Sequence, residues 1–155
     1  MSLRIQKILL PTDFSAYSAT ATKYACELAD KFAASLFLLH VVETHPTVAP
    51  DFGMGLALPA FVNESTTAAE KALTNLLDPQ WAAHHSIVQA VVQGSPKAEI
   101  VRYARQSDID LIVLTTHGRT GLAHVLLGSV AETIVRTAPC PVLTVRPEGH
   151  QFVMP

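Results

Sequence analysis

The chain has 155 residues, 49% of them apolar and 15% charged, with a formal charge of −2; it is the size of one domain and too apolar for intrinsic disorder. Its eleven scattered Lys and Arg leave no basic footprint for nucleic acid, and no apolar run reaches the ~20 residues of a bilayer span, so neither nucleic acid nor a membrane is an expected partner. Two cysteines, Cys26 and Cys140, make neither a disulfide framework nor a metal-ligand spacing, and Met1-Ser2-Leu3-Arg4 runs into a strand pattern without a signal region, which points to the cytoplasm.

Arg4 to Leu10 ends in the apolar run Ile8-Leu9-Leu10 before Pro11, the pattern of a buried strand with an abrupt exit. Ser15 can cap a first helix whose apolar positions Tyr17, Ala21, Tyr24, Ala25, Leu28 and Phe32 recur at spacings of three and four, ending near Ala34. Leu36 to Val42, apolar except for His40, predicts a second strand covered on both faces. From Glu43 to Asn63, Pro46, Pro50, Gly53, Gly55 and Pro59 interrupt any period, and a mobile loop that orders with ligand or dimer is expected there.

A second helix carries Ala68, Ala72, Leu73, Leu76 and Leu77 on one side, and the third strand runs from Ser86 to Val92. Gly94 supplies a turn, Ser95-Pro96 opens a third helix with Ile100, Val101 and Ala104 as its buried stripe, and Ile109 to Leu114 is the fourth strand. After a glycine-rich loop, Ser129-Val130-Ala131-Glu132 has capping-box spacing, so a fourth helix begins at Ser129 and stops before Pro139. Val142 to Val145 is the fifth strand and residues 147–155 are a tail. This alternation predicts a single-domain α/β fold, a doubly wound parallel five-stranded sheet with right-handed crossovers.

In such sheets ligands bind beyond the carboxyl ends of the strands. There lie Pro11-Thr12-Asp13, Val41-Val42-Glu43, Gln93-Gly94-Ser95 and the stretch Thr115 to Ser129. Gly118, Gly121 and Gly128 let the last of these curl its amides into one concavity, and the following helix start adds donors and a positive dipole end, a combination that suits phosphate. Ser129 and Arg119 could add contacts to the same anion. Equally, the glycines could only shape the loop while Ser129 caps the helix. His117 could donate to phosphate or bond a backbone carbonyl to hold the loop.

Other motifs carry less. Gly53-Met54-Gly55 has Leu58 where a dinucleotide fingerprint needs its third glycine, and no strand precedes it. No G-x-x-x-x-G-K-[ST] occurs, which disfavours a Walker-type NTPase. His84 and His85 are adjacent without a third ligand, so solvent exposure is expected and no metal site.

Thr116-His117-Gly118-Arg119-Thr120-Gly121-Leu122, Leu127-Gly128-Ser129-Val130-Ala131-Glu132, Ala138-Pro139-Cys140-Pro141-Val142-Leu143 and Lys7-Ile8-Leu9-Leu10-Pro11-Thr12-Asp13-Phe14-Ser15 together resemble the universal stress protein family, over nearly the whole chain and in order. The resemblance implies strand order 3-2-1-4-5 with helices on both faces, a cytoplasmic stress-response role, frequent dimers and, in one branch, bound ATP. That branch carries G-x2-G-x9-G followed by Ser or Thr; Gly118 and Gly128-Ser129 match it, but Thr115 replaces the first glycine. Its branched Cβ is expected to crowd the phosphates or shift the amide there, and Thr115→Gly to leave affinity unchanged or raise it.

By the same resemblance Asp13 bonds the ribose hydroxyls, the Val41 backbone meets the adenine edge, and Pro11 and Thr12 line the base pocket. Leu114, Thr115, His117, Gly118, Arg119, Gly128, Ser129 and Val130 complete the expected nucleotide site. Asp13 could instead cap the first helix, and Val41 could be core. The resulting expectation is a module that binds ATP, or AMP or ADP, with Mg2+ a possible companion and little or no turnover, since no side chain stands out as a general base. One alternative is a slow ATPase or nucleotidyl-transferring enzyme using Asp13 or Glu43 to hold Mg2+. The other is a dimeric interaction protein without nucleotide. A homodimer is expected through the edge strand at residues 141–146, paired antiparallel with its twin.

Overall fold

The computed structural model describes residues 4–44, 57–117 and 127–147. Its elements are β1 (Lys7–Pro11), α1 (Ser18–Phe32), β2 (Ser35–Glu43), α2 (Ala57–Thr74), α3 (Pro79–Ala82), β3 (Ile87–Gly94), α4 (Pro96–Gln106), β4 (Leu111–Thr115), α5 (Ser129–Thr137) and β5 (Val142–Val145). The strands form one parallel sheet in the order β3-β2-β1-β4-β5, as the resemblance implied.

The apolar runs are explained by a core on each face, because side chains alternate along a strand. Ile8, Leu10, Leu36, Leu38, Leu111 and Val113 pack with α1 and α2 on one side. Leu9, Leu39, Val41, Ile112 and Leu114 pack with α4 and α5 on the other. Central β1 therefore has Ile8, Leu9 and Leu10 without exposed surface. The amides at its start are held from the residue just before β4: the Gln6 and Lys7 N–H groups donate to Asp110 Oδ2 at 2.8 and 2.9 Å.

Several local expectations are corrected. The buried stripe of α1 is Ser18, Ala21, Ala25 and Ala29, small side chains that let the helix lie close to the sheet, while Tyr17, Tyr24 and Phe32 remain exposed. Ser15 does not cap α1, which begins at Ser18 without a side-chain cap; the Ser15 carbonyl instead accepts from the Ser18 amide and hydroxyl. The segment read as an irregular loop to Asn63 turns helical at Ala57, and Pro59 is tolerated because first-turn N–H groups have no helical partner. The rest of that loop, residues 45–56, where mobility was expected, and the tail from 148 lie outside the described residues.

Gly94 makes its turn at φ +142°, where a Cβ would stand 2.9 Å from Glu99 Cγ. His85 is not simply solvent-exposed: its ring stacks on Trp81 at 3.7 Å between centroids. Its Nε2 lies 2.5 Å from Asp30 Oδ1, and the Trp81 indole N–H donates to the same carboxylate. The cluster ties α3 to the end of α1. Both cysteines are free, and burial pushes the Cys26 thiol up to about 11, which leaves it protonated and unreactive near neutrality. No helix among the described residues is long and apolar enough to cross a membrane.

Candidate functional site

β1 leads into α1 on one face and β4 leads into α5 on the other, so a crevice opens between their carboxyl ends. A cleft of about 260 Å³ lies there. Pro11, Thr12 and Asp13 approach it from β1, Val41 and Glu43 from β2, Leu114, Thr115, Thr116 and His117 from β4, and Gly128, Ser129 and Val130 from the start of α5. Ten of the twelve residues expected in a nucleotide site thus meet in one place; Gly118 and Arg119 lie outside the described residues.

On the β1 side the chain turns sharply. Thr12 N–H closes the β1–β2 ladder by donating to Leu39 O at 2.9 Å. Phe14 adopts φ +60°, and Asp13 Oδ1 accepts the Ser15 N–H at 3.0 Å, an Asx turn that fixes the carboxylate at the cleft wall. Asp13 therefore shapes the turn before α1 and is not its N-cap, which is Tyr17.

On the β4 side the turn is held by its own hydroxyls. Thr115 Oγ1 donates to the His117 carbonyl at 2.6 Å. Thr116 Oγ1 lies 2.8 Å from His117 Nδ1, so this buried imidazole serves the loop. Gly128 N–H donates to Thr116 O at 2.6 Å, clipping the start of α5 onto the end of β4. The Thr115 hydroxyl, anticipated only as an obstruction, is thus a strut of the turn.

Helix α5 begins at Ser129 as expected, but Gly128 is its N-cap and no side-chain cap bond forms. The expected capping box is absent because Ser129 is already the first helical residue, one position too late to cap. Its hydroxyl is exposed at the cleft rim. The free amides of the first turn of α5 and the positive end of its dipole face this rim.

The floor and far wall are apolar: Leu39 and Val41 from β2, Ile100 from α4 and Ile134 from α5, with Pro96 at the start of α4. Sequence reading did not place Ser18, Leu39, His40, Pro96, Ile100, Ala131 or Ile134 in the cleft; for those on α4 and α5 the available signal was that the two helices share a sheet face. Chemically, the cleft offers an apolar slot, the carboxylates of Asp13 and Glu43 at the ends of β1 and β2, and backbone donors at the start of α5. It suits an elongated ligand with an apolar ring, hydroxyls and an anionic end. No group of three or more His, Cys, Asp or Glu able to hold a metal ion occurs among the described residues.

A family model described as the universal stress protein family matches residues 4–146. A protein of Methanocaldococcus jannaschii, universal stress protein MJ0531, is 37% identical over 142 residues, covering 91% of this chain and 82% of that one. Among solved structures, universal stress protein UspA from Lactobacillus plantarum superimposes with a TM-score of 0.82 at 29% identity, covering 94% of this chain and all of the other. A universal stress protein in complex with cAMP shares the fold, with a TM-score of 0.59 at 23% identity over 92% of this chain and 98% of that one.

Proposed function

Because the chain belongs to the universal stress protein family, we propose that it is an adenine-nucleotide-binding module of stress response or signalling, taking ATP, ADP or AMP with little or no turnover. The observation that carries this reading is the meeting, across one apolar slot, of the Asp13 carboxylate and the amide-rich start of α5. The base lies among Pro11, Thr12 and Val41, with the Val41 backbone at its edge. Asp13 accepts from the ribose hydroxyls. The phosphates rest on the turn from Thr115 to His117, on Gly118 and Arg119, and on the amides from Gly128 to Val130, with the Ser129 hydroxyl as a further donor.

Binding is favoured over catalysis because a single loop arginine, Arg119, without a Walker-type lysine gives little stabilisation of transferring charge, and Asp13 Oδ1 is engaged by the Ser15 N–H. Asp13 and Glu43 alone are a sparse donor set for a metal, so Mg2+ enters on the phosphates, which is its usual mode. The protein works in the cytoplasm as a homodimer joined through β5, one of the sheet's two edge strands, whose Leu143 is 37% exposed.

Protein purified without added nucleotide, then denatured, is expected to release AMP, ADP or ATP in mass spectrometry, and titration calorimetry is expected to show ATP binding. Absence of both sinks the proposal, and multiple-turnover phosphate release would move it to the ATPase reading. In the same titration Thr115→Gly is expected to weaken ATP by about two- to fivefold, the loss of one hydrogen bond plus added backbone freedom. The sign is opposite to the one expected from sequence, because the Thr115 hydroxyl bonds the His117 carbonyl. A gain in affinity would mean that crowding dominates after all.

A further inference from the structure

We infer that His40 is a positioning residue for the ribose end of the ligand: from the neighbouring strand it holds the turn that presents Asp13. The inference rests on the nucleotide reading of the cleft. His40 interrupts the apolar run of β2 and is buried, a placement that a polar ring tolerates only when its nitrogens are engaged. Its Nδ1 lies 2.8 Å from the Thr12 carbonyl oxygen. A carbonyl only accepts, so Nδ1 carries the proton and donates.

The same ring stacks on Phe14, with centroids 4.6 Å apart and planes 29° from parallel. Phe14 is the residue at φ +60°, an unfavourable conformation for a side chain with a Cβ, which persists only where the surroundings enforce it. His40 thus grips the residues on both sides of Asp13, one by a hydrogen bond and one by its ring face. The remaining bonds close the turn on itself. Thr12 Oγ1 accepts the Phe14 N–H at 3.1 Å and donates to Ser18 Oγ at 3.2 Å. Ser18 Oγ in turn donates to Ser15 O at 2.7 Å.

All of those bonds join residues within the turn or the start of α1, whereas the His40 pair and the Thr12–Leu39 backbone bond reach it from β2. Without the His40 grip, Phe14 keeps its packing against the core of that face and its N–H bond to Thr12 Oγ1, but loses the ring contact and the bonded neighbour that tie its left-handed turn to β2. Asp13, the residue between, then loses its fixed aim while the sheet beneath keeps its own packing. A residue that merely filled the core would affect every ligand of the cleft alike; one that aims Asp13 affects only ligands with ribose hydroxyls.

The test is calorimetric titration of ATP and 2′,3′-dideoxy-ATP into the wild-type protein and into His40→Phe, His40→Asn and Phe14→Gly. Wild type is expected to prefer ATP. His40→Phe keeps a ring for stacking but has no donor; it should weaken ATP about fivefold, the worth of one buried hydrogen bond, while dideoxy-ATP changes less than about twofold. His40→Asn, which keeps an N–H near the Nδ1 position, should restore part of the preference. Phe14→Gly adopts φ +60° without strain and keeps the turn foldable, yet should lower the preference because the ring contact is gone.

Equal losses for both nucleotides in the His40 and Phe14 variants, or an unchanged preference, overturn the role of His40 while leaving the cleft as the nucleotide site. A wild-type protein that binds neither nucleotide overturns both.

Discussion

Gly128→Val is expected to lower ATP affinity by more than a factor of about ten, or about 1.4 kcal/mol, in titration calorimetry. Gly128 has φ −64° and ψ 155°, a region open to every residue, so backbone freedom is not what a glycine supplies there. What it supplies is room. Gly128 is part of the cleft wall at the start of α5, and an isopropyl group would occupy the space beside the amides proposed to hold the phosphates. The fold should survive, since Gly128 N–H can still donate to Thr116 O and its carbonyl can still accept from Glu132. The poorer N-cap would cost about 1 kcal/mol, a fall of about 2–4 °C in melting temperature for a chain of this length. Gly128→Ser, a good N-cap with a smaller side chain, should bind ATP with intermediate affinity. Wild-type affinity in Gly128→Val would place the phosphates elsewhere.

Asp13→Ala is expected to cost ATP about tenfold, because it removes two things at once: the proposed acceptor for the ribose hydroxyls and the acceptor of the Ser15 N–H at 3.0 Å. Asp13→Asn separates them. Its side-chain oxygen can still accept from Ser15 and keep the Asx turn, but it loses the charge that strengthens a hydrogen bond to a hydroxyl, so a loss of about two- to fivefold is expected. Free adenine, titrated alongside, should bind both variants as it binds wild type. If adenine weakens as much as ATP, the substitution has damaged the base pocket and Asp13 does not read the sugar.

These two expectations draw on different levels of information. Asp13 and Gly128 lie in stretches that the chain itself marks, one just after a strand and one just before a helix, while the role of Asp13 came from the family resemblance; strands and helices are encoded by neighbours: the apolar runs at Ile8–Leu10 and Leu111–Leu114, the stops at Pro11 and Pro139, the turn at Gly94. Runs apolar on both faces already imply a parallel sheet under helices, and a parallel doubly wound sheet already implies where its crevice lies. Together with the family motifs, that is why the strand order and ten lining residues of the cleft were legible in the sequence.

What each side chain does once there was not legible. Ser129 and Glu132 have the spacing of a capping box, yet α5 starts one residue too early for it, because the Gly128–Thr116 bond sets where the helix can begin. Tyr17, Tyr24 and Phe32 fit a buried periodicity, yet the alanines of α1 face the sheet, because a closely packed helix has no room there for rings. Thr115 reads as an obstruction until its hydroxyl is found on the His117 carbonyl. His85 reads as exposed until Asp30, 55 positions earlier, is found against its Nε2. His40 reads as a break in an apolar strand until Thr12, 28 residues before it, is found at its ring nitrogen. Periodicity, capping and turn preferences are settled by atoms a few residues apart, so the sequence alone determined the elements, their layers and the location of the crevice. Hydrogen-bond partners and ring contacts between elements depend on strand register and helix approach, which arise only when the two cores pack, so the tertiary structure alone decided the wiring of the site.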